Sequence, residues 1–295
     1  MWEPWDYAIV IGNGFGSRKR LADECRGRGD GKMADGLRKV CFMLREKMEE
    51  EPEEAEPQEG VLYVTDLGEV YTALQQRGCF VLPYLHEKNR NESFPGAFYA
   101  VERLEEMDYT SFDLAYCRLA GLPWNILETK RLMVRETTVG DVDSFYRIYQ
   151  DPSVTAYMEN LFADRDEEIA YIRDYIRKVY AFYGYGMWTV MEKGSGEIIG
   201  RAGISWREGY DLPELGFVIG VPWQRQGYAY EVCRAILVYA WKELGIGQIQ
   251  ALVMEGNERS AKLCKKLGFS RIGTVWEDGA AHILFRSGYL EESGC

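Results

Sequence analysis

The sequence predicts an α/β (α+β) protein in two parts, a small parallel α/β domain in residues 1–126 and a larger domain with a mixed, mostly antiparallel sheet in residues 127–295. The length of 295 residues exceeds the roughly 100 to 200 residues of one typical domain. Strands and helices alternate in the first part, which is typical of parallel sheets. In the second part, successive alternating runs are separated by a glycine-rich turn, which is typical of antiparallel hairpins.

Short apolar runs and helical periodicity define the elements of the first part. The predicted strands are Tyr7–Ile11, Val61–Thr65, Phe80–Leu85 and Phe98–Val101. The predicted helices are Gly36–Lys47, Leu67–Arg77 and Tyr109–Leu119. Residues 48–60 are acidic, contain two prolines and lack apolar periodicity, so we expect a mobile loop there.

The segment from residue 64 to residue 106 resembles the last strand-helix-strand unit of haloacid-dehalogenase-type phosphatases. In that family an acid after the strand helps to hold magnesium, and Asp66 stands at the matching place. The nucleophilic aspartate of the family is missing, because residues 12–16 read Gly-Asn-Gly-Phe-Gly. We therefore expect a structural or regulatory remnant and not an active phosphatase. The glycines of residues 12–16 favour a flexible turn over a dinucleotide site, since their spacing is not G-x-G-x-x-G.

Composition excludes several classes of function. Seven cysteines without a C-x-x-C pair and only two histidines argue against a disulfide framework and against a zinc site. A net charge of -12 argues against a nucleic-acid binder and suits either a cationic acceptor or simple solubility. The sequence shows no membrane segment and no signal peptide, so a cytoplasmic location is expected.

The second part alternates between strand and helix patterns throughout. Predicted strands are Arg131–Glu136, Met187–Glu192, Ile198–Trp206, Leu215–Ile219 and Ile249–Met254. Predicted helices are Val139–Tyr149, Asp166–Phe182, Tyr230–Trp241 and one that begins near Asn257. Pro222 follows the fourth of these strands and cannot donate to a continuing ladder, which indicates a splay or bulge.

A candidate anion site follows that splay. Residues 224–229 read Gln-Arg-Gln-Gly-Tyr-Ala and open a predicted helix. The unpaired amides and the dipole of such a helix start bind anions such as a pyrophosphate. Gly227 allows a close approach of the backbone, and the small Ala229 leaves the approach open.

With this motif the chain resembles the GNAT superfamily of N-acetyltransferases, whose acyl-CoA fingerprint is Q/R-x-x-G-x-G/A. The strand of residues 214–219 resembles the fourth strand of that family, and residues 257–269 resemble its N-x-x-S/A-x-x-L-x-x-x-x-G-F helix. The resemblance implies the GNAT fold, with a sheet splayed at strands 4 and 5, and acetyl-CoA as cosubstrate without a metal. The opening residues 127–132 and the Gly268-Phe269 ending look most like the Rim-type branch, which acetylates protein N-termini and other amines.

The resemblance also implies which residues bind the coenzyme. Asn257 and Ser260 contact the CoA arm in the family, although Asn257 can equally be a helix N-cap with Ser260 solvated. By the same resemblance, the region of Ile219 or Gly220 is expected to polarise the thioester carbonyl. The full coenzyme set comprises Phe217, Ile219, Val221, Gln224, Arg225, Gln226, Gly227, Tyr228, Ala229, Asn257 and Ser260.

Two residues are candidates for proton transfer. Glu214, on the fourth strand, can remove the amine proton through a water, or it can be a solvated strand-end glutamate. Cys264 stands where many GNAT enzymes carry a tyrosine acid, and a buried apolar cysteine is the other interpretation. Two or three of a set of aromatic residues are expected to line the acceptor cleft. The set is Tyr157, Phe162, Tyr183, Tyr185, Trp188 and Trp206.

The leading hypothesis is transfer of an acetyl group to a primary amine, on a protein N-terminus or a small molecule, by direct attack. A catalytically inactive acyl-CoA-binding sensor is the first alternative, because the usual tyrosine is missing. A second alternative makes the N-terminal part an interaction module that recruits the substrate. The sequence does not specify the acceptor or the oligomeric state, for which a dimer is one option.

Overall fold

The chain divides into two compact units, Met1–Leu122 and Pro123–Cys295. The computed structural model describes residues 7–11, 61–107, 109–277 and 279–288, the first range for its backbone only. The predicted helix Gly36–Lys47, the glycine-rich turn and the acidic segment 48–60 lie outside the described residues.

The N-terminal unit contains a parallel sheet of three strands in the order β1-β2-β3. These strands are β1 (Tyr7–Ile11), β2 (Val61–Thr65) and β3 (Phe80–Pro83), and helix α1 (Gly68–Gln76) connects β2 to β3. Helix α2 covers Tyr109–Ala120. Every residue of β2 is buried, as expected for a parallel strand covered on both faces. One face packs against α2 and the other against α1.

The predicted strand Phe98–Val101 is wrong. Only Val101 pairs, through a single parallel bridge to Tyr84, and the Phe98 side chain is 72% exposed. Gly96 precedes it in a turn with a φ of 78°. An exposed aromatic side chain gives a strand no buried face, so the segment stays irregular.

Asp66 follows β2 and is engaged with neighbouring side chains. Its Oδ2 lies 3.1 Å from His86 Nε2, and its backbone oxygen accepts a hydrogen bond from Asn89. His86 Nδ1 accepts from the amide of Lys88, so both ring nitrogens have partners. Within the described ranges, no group of three or more His, Cys, Asp or Glu side chains is arranged to hold a metal ion. The resemblance to haloacid dehalogenases remains a prediction.

The C-terminal unit contains an eight-stranded sheet in the order β10-β11-β9-β8-β7-β6-β5-β4. All neighbours are antiparallel except β8 and β9, which are parallel. The strands are β4 (Asn125–Glu128), β5 (Leu132–Arg135), β6 (Met187–Glu192), β7 (Ile198–Ser205), β8 (Glu214–Ile219), β9 (Gln250–Met254), β10 (Ser270–Glu277) and β11 (Ala280–Arg286). The predicted mixed, mostly antiparallel sheet is confirmed.

Helices cover both faces of this sheet. They are α3 (Val142–Tyr149), α4 (Pro152–Thr155), α5 (Arg165–Tyr175), α6 (Ala181–Tyr183), α7 (Tyr228–Lys242) and α8 (Glu258–Lys266). A π-helical segment, Ile176–Tyr180, joins α5 to α6, so the predicted helix Asp166–Phe182 is one continuous run. No helix in the described part of the chain is long and apolar enough to cross a membrane.

The two faces of β8 pack against different helices. Leu215 and Ile219 belong to the large core that includes Val232 and Ile236 of α7. Val218 belongs instead to the cluster built on α3 and α5. Because side chains alternate along a strand, α7 covers one face of β8, and α3 with α5 covers the other.

Candidate active site

A cleft opens between strands β8 and β9. Six residue pairs join β8 to β7, from Ser205–Glu214 to Gly200–Ile219, whereas β8 pairs with β9 only at Glu214–Gln250. The two parallel strands therefore meet at their first residues and separate toward their carboxyl ends. The predicted splay between the fourth and fifth strands of the family is present.

The register shows which backbone groups face this cleft. The amide of Gly220 donates to the Ile199 carbonyl of β7 at 2.8 Å. In an antiparallel ladder, alternate residues direct both backbone groups to the same neighbour. Phe217 and Ile219, which are out of phase with Gly220, therefore direct their amide and carbonyl groups away from β7 and into the cleft.

The loop after β8 leads into the start of helix α7. Val221–Trp223 form one 3₁₀ turn, and Gly227 occupies the N-cap of α7 with a φ of 86°. Among the described residues no side chain caps α7, so the amides of its first turn point toward the loop without a side-chain acceptor there. Arg225 also has a positive φ, of 62°.

Two glutamines fold the loop back on itself. Gln224 Nε2 donates to the Ile219 carbonyl at 2.9 Å, and Gln226 Nε2 donates to the Pro222 carbonyl at 2.9 Å. These predicted coenzyme residues thus fix the loop conformation with their side chains. At the start of α7 the Tyr228 residue is buried and Ala229 is half-buried. Their backbone amides, and not their side chains, are therefore the groups available to an anion.

Arg131 borders the loop and was not among the predicted site residues. Its Nη1 donates to the Gln226 carbonyl at 3.0 Å, and its guanidinium lies 4.1 Å from the centroid of the Tyr228 ring. The same guanidinium forms an ion pair with Glu231, at 2.6 Å. No local signal in the sequence identifies Arg131, because its contact with Glu231 depends on the order of the strands in the sheet.

Asn257 and Ser260 lie together at the start of α8. Asn257 Oδ1 accepts from the Ser260 amide at 3.1 Å, so Asn257 is the N-cap of α8. This geometry matches the N-cap interpretation. Contact of either residue with a coenzyme stays a prediction.

Glu214 lies where β8 and β9 meet. Its Oε2 accepts from Arg207 Nε at 2.6 Å, and 14% of its side chain is exposed. The carboxylate is therefore held at the closed end of the cleft and not free in solvent. The base assignment stays a prediction.

Cys264 is fully buried on α8, in the core that α7 shares with the sheet. Burial raises the pKa of its thiol to about 11. A general acid must reach the leaving sulfur, and a side chain without exposed surface faces the core instead. This burial speaks against the acid role and favours a buried apolar cysteine.

Residues 148–157 border the cleft on the face opposite α7. A methyl group at Gly220, just after β8, would lie 3.3 Å from Ile148. A methyl group at Gly256, just after β9, would lie 3.7 Å from the Tyr157 ring. Tyr157 is 42% exposed and is a predicted cleft aromatic that lies beside the open end of β9.

The other predicted aromatics are divided between surface and core. Trp188 is completely buried and packs edge-on against Tyr239, so it is one of the candidates that belong to the core. Phe162, Tyr183 and Trp206 each expose more than two fifths of their surface.

Comparison with known proteins places these features in a family. The acetyltransferase (GNAT) domain family model matches residues 131–270. The uncharacterized N-acetyltransferase YoaA of Bacillus subtilis is 29% identical over 51% of this chain and 85% of its own length. The [ribosomal protein uS5]-alanine N-acetyltransferase of Escherichia coli is 35% identical over 35% of this chain and 52% of its own length.

Two solved structures are also similar to this chain. A putative GnaT-family acetyltransferase from Bordetella pertussis is 24% identical, with a TM-score of 0.49 over 56% of this chain and 100% of that chain. The ribosomal-protein-S5-alanine acetyltransferase from Vibrio fischeri is 16% identical, with a TM-score of 0.48 over 57% of this chain and 98% of that chain. The match of the family model, together with the splayed sheet and the loop before α7, shows that residues 131–270 are a GNAT acetyltransferase domain.

Proposed function

We propose that the C-terminal unit binds acetyl-CoA between β8 and β9 and transfers its acetyl group to a primary amine. The observation that carries this proposal is the position of two sets of unpaired backbone groups. The cleft-facing groups of Phe217 and the amide of Ile219, whose carbonyl already accepts from Gln224, lead directly to the uncapped amides at the start of α7. An extended amide chain that ends in a pyrophosphate satisfies both sets at once.

The donor is held mostly by backbone. The pantetheine arm lies along β8 and pairs with Phe217 and Ile219, and the pyrophosphate lies at the amides of residues 226–229. Val221, expected to pair with the arm as well, begins the 3₁₀ turn beyond the end of β8 and so does not continue the ladder. The Gln224 and Gln226 side chains fix the loop, so its amides are oriented before the coenzyme binds. Asn257 and Ser260 flank the arm from the start of α8.

The transfer is a direct attack. The amine nitrogen bonds to the thioester carbonyl carbon, the carbon–sulfur bond breaks, and coenzyme A leaves as a thiolate while the amine loses a proton. The amide of Ile219 faces the cleft and polarises the carbonyl oxygen. Glu214 accepts the amine proton through a water, with Arg207 holding one of its oxygens in place. The thiolate needs no acid from Cys264, since a coenzyme A thiolate is a tolerable leaving group near neutral pH.

The acceptor enters from the face opposite α7, where residues 148–157 border the open ends of the strands. The net charge of -12 favours a cationic acceptor such as an ammonium group. A relative named as an acetyltransferase of a ribosomal-protein alanine supports a protein N-terminus as acceptor. A small amine is the other acceptor class to test.

The proposal is tested by release of free thiol from acetyl-CoA in the presence of peptides with free N-termini and of small amines. We expect thiol release with at least one amine and a large loss of kcat in Glu214→Gln. Glu208→Gln is the matched control, because Glu208 is exposed and lies in the same loop region as Arg207. Coenzyme binding without thiol release toward any amine would favour the inactive sensor, whereas unchanged kcat in Glu214→Gln would exclude Glu214 as the base.

A further inference from the structure

The turn between β4 and β5 contacts the first turn of α7, which follows about a hundred residues later in the chain. Thr129 Oγ1 donates to Glu231 Oε1 at 2.6 Å, and the Arg131 amide donates to the same oxygen at 3.0 Å. Arg131 Nε donates to Glu231 Oε2 at 2.7 Å. One carboxylate on α7 is thus held by three donors from this turn and by the Arg131 ion pair.

The same arginine reaches the loop that precedes α7. Its Nη1 donates to the carbonyl of Gln226 at 3.0 Å, and its guanidinium lies over the Tyr228 ring. A methyl group at Gly227 would lie 3.5 Å from Arg131 Nη2. Arg131 therefore contacts or borders three consecutive residues of the proposed pyrophosphate loop.

The loop needs an external restraint because its backbone is strained. Arg225 is the one residue other than glycine that has a positive φ in the described part of the chain, and Gly227 is also at positive φ. Such conformations persist where the surrounding structure holds them in place. The hydrogen bond from Arg131 to the carbonyl between these two residues is a restraint of this kind.

The charges of Arg131 and Glu231 are also compatible with an anion site. A glutamate in the first turn of α7 would by itself oppose a phosphate at the helix start. Burial raises the pKa of the Glu231 carboxyl, but hydrogen bonds from Thr129 and Arg131 outweigh that effect and hold the pKa below its usual value. Glu231 is therefore ionised at neutral pH, and the Arg131 charge beside it cancels its repulsion.

We propose that Arg131 and Glu231 are positioning residues that hold the loop of residues 224–229 in its coenzyme-binding conformation. This inference rests on the proposed function, in which that loop binds the pyrophosphate. Arg131 acts through the Gln226 carbonyl and through Glu231. Its guanidinium donates separate N–H groups to the two partners at the same time, so its role depends on this geometry and not only on its charge.

The test is the affinity for coenzyme A, measured by calorimetry on the full chain, for the wild type and for Arg131→Ala, Arg131→Lys, Glu231→Gln and the double variant Arg131→Ala/Glu231→Gln. We expect affinity to fall about tenfold in Arg131→Ala and in Arg131→Lys, because a lysine keeps the charge but cannot bridge Glu231 and the Gln226 carbonyl. The double variant should bind no more weakly than Arg131→Ala, since the two residues act as one unit. Lys130→Ala removes an exposed positive charge next to Arg131 and should bind like the wild type.

Two further measurements separate positioning from a general structural role. Acetyl-pantetheine lacks the pyrophosphate, so its turnover should be the same in Arg131→Ala as in the wild type, while the KM for acetyl-CoA rises and kcat is kept. Wild-type affinity in Arg131→Lys would overturn the proposal in favour of simple charge attraction, and so would wild-type affinity in Arg131→Ala with an unchanged melting temperature. Absence of coenzyme binding by the folded wild type would instead contradict the proposed function itself.

Discussion

Replacement of Gly227 by alanine tests how much coenzyme binding depends on the backbone conformation of the loop of residues 224–229, separately from the contacts of its side chains. Gly227 has a φ of 86°, and an added methyl group would meet only Arg131 Nη2, at an ordinary contact distance of 3.5 Å. The substitution therefore adds strain without a clash. A residue with a Cβ held in the left-handed region costs about 1–2 kcal/mol.

Gly196, in the hairpin turn between β6 and β7, provides a matched control. Its φ is 73°, and an added methyl group there would meet no described atom within 4 Å. Gly196→Ala should lower the free energy of unfolding by about the same 1–2 kcal/mol, a drop in Tm of roughly 2–8 °C for a domain of this size. Its affinity for coenzyme A should equal that of the wild type, because a methyl group at residue 196 meets no described atom through which it could displace residues 224–229.

In Gly227→Ala the exposed loop can relax when it is empty, and the strain returns when the coenzyme forces residue 227 back to a positive φ. A cost of about 1–2 kcal/mol then appears as a roughly 5- to 30-fold weaker affinity for coenzyme A, measured by calorimetry. Wild-type affinity in Gly227→Ala, alongside the expected loss of stability in Gly196→Ala, would refute this reasoning. It would show that coenzyme binding does not depend on the left-handed conformation of residue 227.

Three other substitutions, with one further substitution as a control, test the C-terminal unit. Cys264→Ala should lower the free energy of unfolding by about 1–2 kcal/mol and leave the pH dependence of kcat unchanged, because the thiol is fully buried. If the variant instead lost the fall of kcat on one side of its pH optimum, Cys264 would be the general acid after all. Burial raises the pKa of Asp141, but hydrogen bonds, chiefly to Arg135, outweigh burial and hold the pKa below its usual value. The stability that this carboxylate contributes is therefore present above about pH 4, and it is lost as the pH falls through the lower folded-state pKa. Asp141→Asn should therefore be less stable than the wild type by about 3 kcal/mol at pH 7, and urea titrations should show that difference shrinking in acid; a constant difference would contradict the assignment. Gly203→Ala would place a methyl group 2.0 Å from a backbone oxygen and should cost more than about 3 kcal/mol or prevent folding, whereas Gly273→Ala, with open space around it, should be close to neutral in a thermal melt.

The sheet of the C-terminal unit could be predicted where each strand carries its own local signal. Strands β6 and β7 alternate in hydrophobicity and flank a glycine-rich turn, and the predicted bounds of β6 match the structure. Strand β10 was missed because it is an edge strand without a buried residue, and its large apolar side chains Ile272 and Trp276 face solvent. A strand with no buried face gives no period-two pattern to read.

The candidate site also contains residues that local sequence could predict and residues that it could not. Residues 224–229 could be predicted because the turn, the glycine and the helix start are contiguous in sequence. The contact between Arg131 and Glu231 could not, since it depends on the order of strands in the sheet, which brings the β4–β5 turn beside α7. The burial of Cys264 likewise depends on how α8 packs, and the sequence left both of its roles open.

The splay between β8 and β9 has a consequence for the coenzyme-free chain. The cleft-facing amides of Phe217 and Ile219 and the Phe217 carbonyl have no strand to pair with there, whereas the Ile219 carbonyl already accepts from Gln224, so the first three groups must be hydrated when no ligand is bound. In the proposed complex the coenzyme takes the place of a missing strand, and we expect it to stabilise the fold by about 2.7 kcal/mol when its concentration is a hundred times its Kd. In hydrogen exchange, these amides should exchange quickly in the free protein and slowly in the complex, which makes β8 a reporter of coenzyme occupancy that needs no knowledge of the acceptor.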